Sequence, residues 1–318
     1  VQLEGIVGFE EEKDPLEAKD AAWAERARAK ATLGFFQQLE EYAQQIADTV
    51  FRPADYRYGD FCAGAGWIGA RYSAYLKYPV AQRLERVAED IRERFASENK
   101  WGEELPQQRT VLKSLKAMLE VKSTLPLYKA FFQKLGQPAL FRMAGPKTLE
   151  WEDVYPVLRL HAAFAGLQPS GVIHHLVIDE MQDYTPVQYA VLNCLFPCPK
   201  TILGDVGQQV HPLFKTTLEG LHALYPAASF VRLDTSYRST WEIIRFARRF
   251  IKGSPIQPIE RHGEAPAVIQ CQTGEEELNQ IRRAVAGFNN GSYATMGILT
   301  KTAGEAAALF QALRGEPN

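Results

Sequence analysis

No stretch of the 318 residues approaches the roughly 18 uninterrupted apolar residues that a membrane-spanning helix needs, so membrane insertion is not expected. The opening Val1-Gln2-Leu3-Glu4 shows no basic segment followed by an apolar one, so no secretory signal is visible, and the missing initial methionine suggests a piece of a longer protein. Cysteine is scarce. Cys62, Cys194, Cys198 and Cys271 are scattered, and with only Cys194 and Cys198 close together no second pair completes a zinc site. Small buried thiols in a reducing cytoplasm are the expectation. Also missing are a G-x-S-x-G elbow, an H-E-x-x-H helix and a G-x-x-x-x-G-K-[ST] loop. The last absence means that no backbone cradle for nucleotide phosphates is encoded here. A net charge of −2 argues against nucleic-acid binding by overall charge. Basic residues nevertheless gather late (Arg238, Arg245, Arg248, Arg249, Lys252, Arg261) and acidic ones early (Glu10 to Glu12, Asp14).

What is present is an ordinary globular composition, 46% apolar and 23% charged, in a chain long enough for two or three domains. From about 20 to 135 the apolar spacing is helical. Phe35, Leu39, Tyr42 and Ile46 recur at three and four, as do Leu84, Val87, Ala88, Ile91 and Phe95. A third helix is expected to carry Val111, Leu115, Met118 and Leu119, and a segment from Leu127 to Leu135 to follow a break at Pro126. Gly136-Gln137-Pro138 and Gly145-Pro146 then place a boundary at about 136 to 150. Beyond it, short apolar runs alternate with helical segments, the pattern of a parallel α/β sheet. Strands are expected at His175 to Ile178, Thr201 to Leu203, Phe230 to Leu233, Ala267 to Gln270 and Gly297 to Thr300. Capping boxes are expected at Thr185-Pro186-Val187-Gln188 and Ser239-Thr240-Trp241-Glu242, the second leading into a helix stopped by Gly253-Ser254-Pro255. A further helix is expected from Glu275 to Ala286.

Three strand ends carry polar groups. Leu176-Val177-Ile178 runs into Asp179-Glu180-Met181-Gln182-Asp183, where one carboxylate can hold Mg²⁺ through its water shell and the next can orient and deprotonate a water. Gly204-Asp205-Val206-Gly207-Gln208-Gln209 offers Gln208 to a γ-phosphate or its attacking water. Asp234-Thr235-Ser236-Tyr237-Arg238-Ser239 offers Arg238 to developing charge and the Tyr237 ring to a base. Alone, each reads as a solvated turn. In this order they read as a nucleotide hydrolase site arranged along one sheet rim.

D-E-M-Q-D, G-D-V-G-Q-Q and S-Y-R-S resemble motifs II, III and IV of the UvrD/Rep-type superfamily 1 helicases. Within that group the likeness is to HelD, through Glu152-Asp153-Val154-Tyr155-Pro156, Asp183-Tyr184-Thr185-Pro186-Val187-Gln188-Tyr189, Tyr237-Arg238-Ser239-Thr240 and Pro258-Ile259-Glu260-Arg261-His262-Gly263. The resemblance covers about 150 to 318. It implies a partial RecA-like parallel sheet of P-loop NTPase type with an N-terminal helical subdomain. Residues 1–150 would be a helical insertion, 151–238 the later part of a first RecA-like domain, and 239–318 the start of a second. It further implies an ATP hydrolase using Mg²⁺, with Asp179 as metal ligand and Glu180 as general base. Gln208 and Arg238 would contact the γ-phosphate and Tyr237 would stack on adenine, with Gln182, Asp183 and Asp205 completing the cofactor side. HelD-like proteins act on RNA polymerase, releasing nucleic acid and recycling the enzyme. The implied protein is cytoplasmic, with RNA polymerase as partner and DNA as a second candidate. This stretch would be a monomeric piece, inactive alone, because the P-loop and the last helicase motifs are missing.

Val210-His211-Pro212-Leu213-Phe214 stands where strand-tracking relatives carry an aromatic residue that stacks on single-stranded DNA, a contact worth about 1 to 3 kcal/mol per base. His211 and Phe214 are the candidate substitutes, and the departure favours HelD over a UvrD- or helicase-IV-like DNA translocase. A non-catalytic partner-binding module is the alternative from another class. Gly64-Ala65-Gly66-Trp67-Ile68-Gly69 matches G-x-G-x-x-G but follows a polar, tyrosine-rich segment, so a loop or helix start is expected there, with Trp67 available to a partner. His174-His175 lacks a matching ligand pattern, and the basic segment from Arg245 to Lys252 reads as a solvated face before a phosphate contact.

Overall fold

A computed structural model describes residues 8–13, 15–16, 20–209, 211–213, 216–250, 256–291 and 293–314. The chain forms two compact units, residues 1–227 and 228–318. The first begins with β1 (Gly8–Phe9), α1 (Ala21–Lys30) and α2 (Leu33–Thr49). The antiparallel hairpin of β2 (Tyr56–Tyr58) and β3 (Phe61–Ala63) leads into α3 (Ala65–Ala74), α4 (Val80–Glu98), α5 (Gln108–Ala117) and α6 (Thr124–Lys134). Strands β4 (Met143–Gly145) and β5 (Thr148–Leu149) join β1 in the order β1-β5-β4, and α7 (Trp151–Phe164) follows. The unit closes with β6 (Leu176–Ile178), α8 (Pro186–Leu195), β7 (Lys200–Ile202) and α9 (Leu218–Leu224).

The helical spacing becomes a core. Phe35, Leu39 and Ile46 of α2 pack in one buried cluster with Leu84, Val87, Ala88, Ile91 and Phe95 of α4. Phe131 and Phe132 of α6 and Val157, Leu160 and Phe164 of α7 belong to the same cluster, so the segments on both sides of residue 150 share an interior. Each fully buried Leu or Phe contributes roughly 1.5–3 kcal/mol. Two local expectations are corrected. Pro126 does not break a helix: α6 starts at Thr124, which puts the proline in the first turn, where its missing N–H would have had no helical partner. The interruption comes earlier, because α5 ends at Ala117 and leaves Met118 and Leu119 outside it. The G-x-G-x-x-G segment follows β3 of the hairpin, and Gly64 caps α3; its antiparallel context is not that of a dinucleotide fold.

Charge fastens α1 to the start of α7. Arg26 holds both carboxylate oxygens of Glu150, and Lys30 Nζ lies 2.6 Å from Asp153 Oδ1. Tyr128 donates its hydroxyl to the same Asp153 oxygen at 2.6 Å, and Trp23 donates its indole N–H to Glu152 at 3.0 Å. Lys30, Asp153, Glu150 and Arg26 are all buried. Burial pushes the Asp153 carboxyl above its ordinary range against the pull of Lys30, and raises Glu152 as well. Isolated charges there would be prohibitive; only mutual pairing makes the arrangement tolerable.

The parallel α/β pattern is met in part. β6 and β7 pair in parallel, Leu176 with Lys200 through Ile178 with Ile202, over a small core of Ile178, Tyr189 and Leu221. Thr185 and Gln188 form the expected capping box of α8. In the second unit β8 (Thr235–Ser236) pairs in parallel with β9 (Gln257–Pro258), accompanied by α10 (Trp241–Ala247), α11 (Gly274–Asn289) and α12 (Ala303–Ala312). The expected helix at Glu275 lies within α11. The expected strands Phe230 to Leu233, Ala267 to Gln270 and Gly297 to Thr300 are not strands. Val231, Leu233, Val268 and Leu299 are exposed by 77% or more, and an extended segment becomes a strand only where a neighbour accepts its ladder. The architecture is therefore mixed α/β with small sheets; among the described residues no broad parallel sheet forms. The second capping box is also absent. Thr240, not Ser239, caps α10, which moves the third helical position from Glu242 to Ile243. The helix stop at Gly253-Ser254-Pro255, with Ile251 and Lys252, lies outside the described residues. Among these residues no helix is long and apolar enough to cross a membrane.

Candidate functional site

At the carboxyl end of β6 the chain turns sharply. Glu180 takes the left-handed conformation (φ 51°, ψ 52°), which disfavours a residue with a Cβ by roughly 1–2 kcal/mol, and a 3₁₀ turn follows over Met181–Asp183. The conformation is held from outside. Asp179 Oδ1 accepts the Glu180 N–H at 2.9 Å, and Met181 N–H donates to Leu203 O at 2.8 Å beyond the end of β7.

Gln182, only 3% exposed, spans the two strand ends. Its Nε2 donates to Glu180 Oε2 at 2.7 Å, while its Oε1 accepts the Asp205 N–H at 3.1 Å. Asp205 in turn accepts from Gly207 N–H at 2.8 Å and from Gln208 Nε2 at 3.1 Å. A continuous hydrogen-bonded path thus joins the Glu180 carboxylate to the Gln208 amide through Gln182 and Asp205. Gln209 closes the turn by donating to Gln182 O at 3.1 Å.

The structure therefore brings Asp179, Glu180, Gln182, Asp205 and Gln208 to one end of the β6–β7 pair. Asp179, Glu180 and Gln208 are exposed, whereas Gln182 is buried among protein groups, a bridge within the loops rather than an open ligand. Asp183 lines a cleft with Trp23, Lys30, Glu152, Gln188 and His211. His211 is half-buried, and burial lowers its pKa; Val210 and Phe214 lie outside the described residues. Tyr237 and Arg238 belong to the second unit. They follow β8, which pairs with β9 while β6 pairs with β7, so among the described residues the expected strand ends are divided between two separate ladders. Both are exposed, Tyr237 by 72%.

Within the second unit, two runs distant in sequence meet. Arg261 donates through its guanidinium to Arg238 O at 2.5 Å, and Trp241 N–H donates to Arg261 O at 2.9 Å. Glu242 accepts from the Gly263 N–H at 2.9 Å and pairs with His262 Nδ1 at 2.8 Å. Those contacts hold its carboxyl at about 2, the His262 bond first and the Gly263 N–H second.

Gly204 and Tyr189 also shape this turn, and neither is among the site residues expected from the sequence. A Cβ at Gly204 would meet the Met181 nitrogen, and the Tyr189 hydroxyl donates to Met181 O at 2.8 Å. A glycine directly after an apolar run is the one signal that marks Gly204. Tyr189 closes the Asp183 to Tyr189 run that carries the family likeness, but nothing in that run shows that its hydroxyl reaches the turn.

Exposed carboxylate oxygen at Asp179 is the donor that Mg²⁺ prefers, and that ion needs only one or two carboxylates beside water and phosphate. Among the described residues no group of three or more His, Cys, Asp or Glu forms a full protein cage for a metal.

No family model matches the chain. ATP-dependent DNA helicase UvrD2 from Mycobacterium bovis and from two strains of Mycobacterium tuberculosis is 25% identical over 261 residues, which cover 76% of this chain and 35% of each relative. The chain thus spans about a third of the length of the curated relatives it matches, at 35%. Together with the acid pair and the Gly-Asp turn at adjacent strand ends, this likeness supports kinship with the UvrD/Rep-type superfamily 1 helicases.

Proposed function

We propose that the chain is part of an ATP-dependent nucleic-acid motor of the UvrD/Rep type. Residues 151–238 would carry the later part of a RecA-like domain behind a helical insertion at 1–150, and residues 239–318 the start of a second such domain. Asp179 would hold Mg²⁺, which supplies charge neutralisation for phosphoryl transfer, and Glu180 would orient and deprotonate the attacking water. Gln208 and Arg238 would serve the γ-phosphate, Tyr237 the adenine face, and Asp183 and Asp205 the loops that shape the site. The path from Glu180 through Gln182 and Asp205 to Gln208 carries this proposal, because it makes the base and the phosphate-facing amide one mechanical piece. The relatives' name favours DNA as the track.

The second reading is a HelD-like motor that acts on RNA polymerase, supported by the Glu152 to Pro156, Tyr237 to Thr240 and Pro258 to Gly263 runs and by the non-aromatic start of the Val210 to Phe214 segment. One set of assays separates these readings. ATP hydrolysis by the full-length protein is measured with Mg²⁺, with single-stranded DNA added, and with RNA polymerase added. Glu180→Gln is expected to reduce hydrolysis at least about 100-fold, the scale of a lost general base. Stimulation by DNA alone supports a translocase and stimulation by polymerase alone the HelD-like motor. An unchanged rate in Glu180→Gln would overturn the motor in favour of a partner-binding module.

A further inference from the structure

Glu180 sits in a backbone conformation that its own side chain does nothing to favour, so the geometry must be imposed by neighbours. The two peptide groups flanking Met181 do this. The first is tied at its N–H to Leu203 O, at 2.8 Å. The second is tied at its carbonyl, which accepts the Tyr189 hydroxyl at 2.8 Å. That second peptide leads into Gln182, whose amide grips the Glu180 carboxylate at 2.7 Å.

Tyr189 is suited to act as a fixed post. It directly follows the Thr185–Gln188 capping box, one helical turn from the cap Thr185, where the start of α8 is rigidly set. Its ring is fully buried, edge-on to Tyr225 at 5.9 Å and 90° and tilted against Tyr184 at 5.6 Å. Burial pushes the phenol well up, which keeps the hydroxyl a donor throughout the neutral range. Phenylalanine would fill nearly the same space; the hydroxyl is what reaches the turn.

We propose that Tyr189 is a positioning residue for the Glu180 carboxylate, acting through the Met181 carbonyl and the Gln182 amide. The proposal rests on Glu180 being the base of ATP hydrolysis, as put forward above. Tyr189 touches neither nucleotide nor water in this scheme; it sets where the carboxylate stands.

The test is steady-state and single-turnover ATP hydrolysis by the full-length protein carrying Tyr189→Phe, Glu180→Gln and both. Tyr189→Phe is expected to lower kcat about tenfold with KM for ATP within about twofold, since a displaced catalytic group slows chemistry without weakening ground-state binding. In the Glu180→Gln background the same change is expected to cause no further loss. An unchanged kcat in Tyr189→Phe, or a loss that persists in full beside Glu180→Gln, would overturn the positioning role. If Glu180→Gln alone hydrolyses at the wild-type rate, the motor proposal falls and positioning falls with it. If Glu180→Gln is inactive and Tyr189→Phe is normal, only the role of Tyr189 falls. Should Tyr189→Phe fail to fold, site-specific fluorotyrosine at 189 alters donor strength at constant shape, and a kcat that does not respond overturns the proposal.

Discussion

Gly204 and Met181 approach so closely that a Cβ on the glycine would lie 2.5 Å from the Met181 amide nitrogen and 2.6 Å from Gln182 Oε1. Both obstacles belong to the turn after β6: the nitrogen is backbone, and the Gln182 amide can swing away only by giving up its bonds to Glu180 and Asp205. Gly204→Ala must push the two strand ends apart and is expected to destabilise the first unit by about 3 kcal/mol, the upper range for overpacking. Urea unfolding checks this; a loss below about 0.5 kcal/mol would show that the turn is looser than the contact implies.

Gln182 satisfies a carboxylate and a backbone amide at once. Leucine at this position fills the volume and leaves the Asp205 N–H without its partner, which is expected to lower stability by about 2 kcal/mol. Amide hydrogen exchange at Asp205 should accelerate in Gln182→Leu, and unchanged protection would mean that another acceptor takes over.

The Lys30–Asp153 pair makes a double-mutant test. Removing one partner leaves a buried charge, so Lys30→Met and Asp153→Leu are each expected to destabilise by about 3–5 kcal/mol. Lys30→Met combined with Asp153→Leu should recover part of that loss, because no unpaired charge remains, although the Tyr128 hydroxyl still lacks its acceptor. Denaturant midpoints for the set decide it. Additive losses would show that the two charges are not coupled.

Glu242 gives the second unit a defined pH response. Its carboxyl is held at about 2 rather than the ordinary 4.5. Between those values an unfolded chain takes up the proton and the folded unit does not, so the contact contributes fully above pH 4.5 and fades as pH falls towards 2. A carboxyl NMR titration should place the Glu242 midpoint near 2, and Gly263 amide protection in Glu242→Gln should lose its dependence on pH in this window. A midpoint at 4.5 would remove the His262 and Gly263 contacts from consideration.

The helices and the strand ends were legible because their signals are local. The three-and-four spacing around Leu39 and around Leu84 places the buried faces of α2 and α4, and Thr185-Pro186-Val187-Gln188 marks the start of α8. The apolar runs at Val231, Val268 and Leu299 carried the same local signal and formed no strands, since a strand is defined by its neighbour. Ser239 to Glu242 failed by a single residue: the cap moved to Thr240, and Glu242 was drawn to His262 and Gly263 instead.

By itself, then, the amino-acid sequence determined the buried faces of α2 and α4, the capped start of α8, and that Asp179, Glu180 and Gln208 stand at strand ends, all consequences of periodicity and of side chains within a few positions of one another. The tertiary structure alone decided that Gln182 would join Glu180 to Asp205, that Tyr189 would reach the Met181 carbonyl, that Arg261 would meet Arg238, and that Trp23 would bond to Glu152 across 129 residues. Such contacts depend on how separate elements pack, and a hydrogen bond that closes a long loop leaves no periodic trace in the chain that makes it.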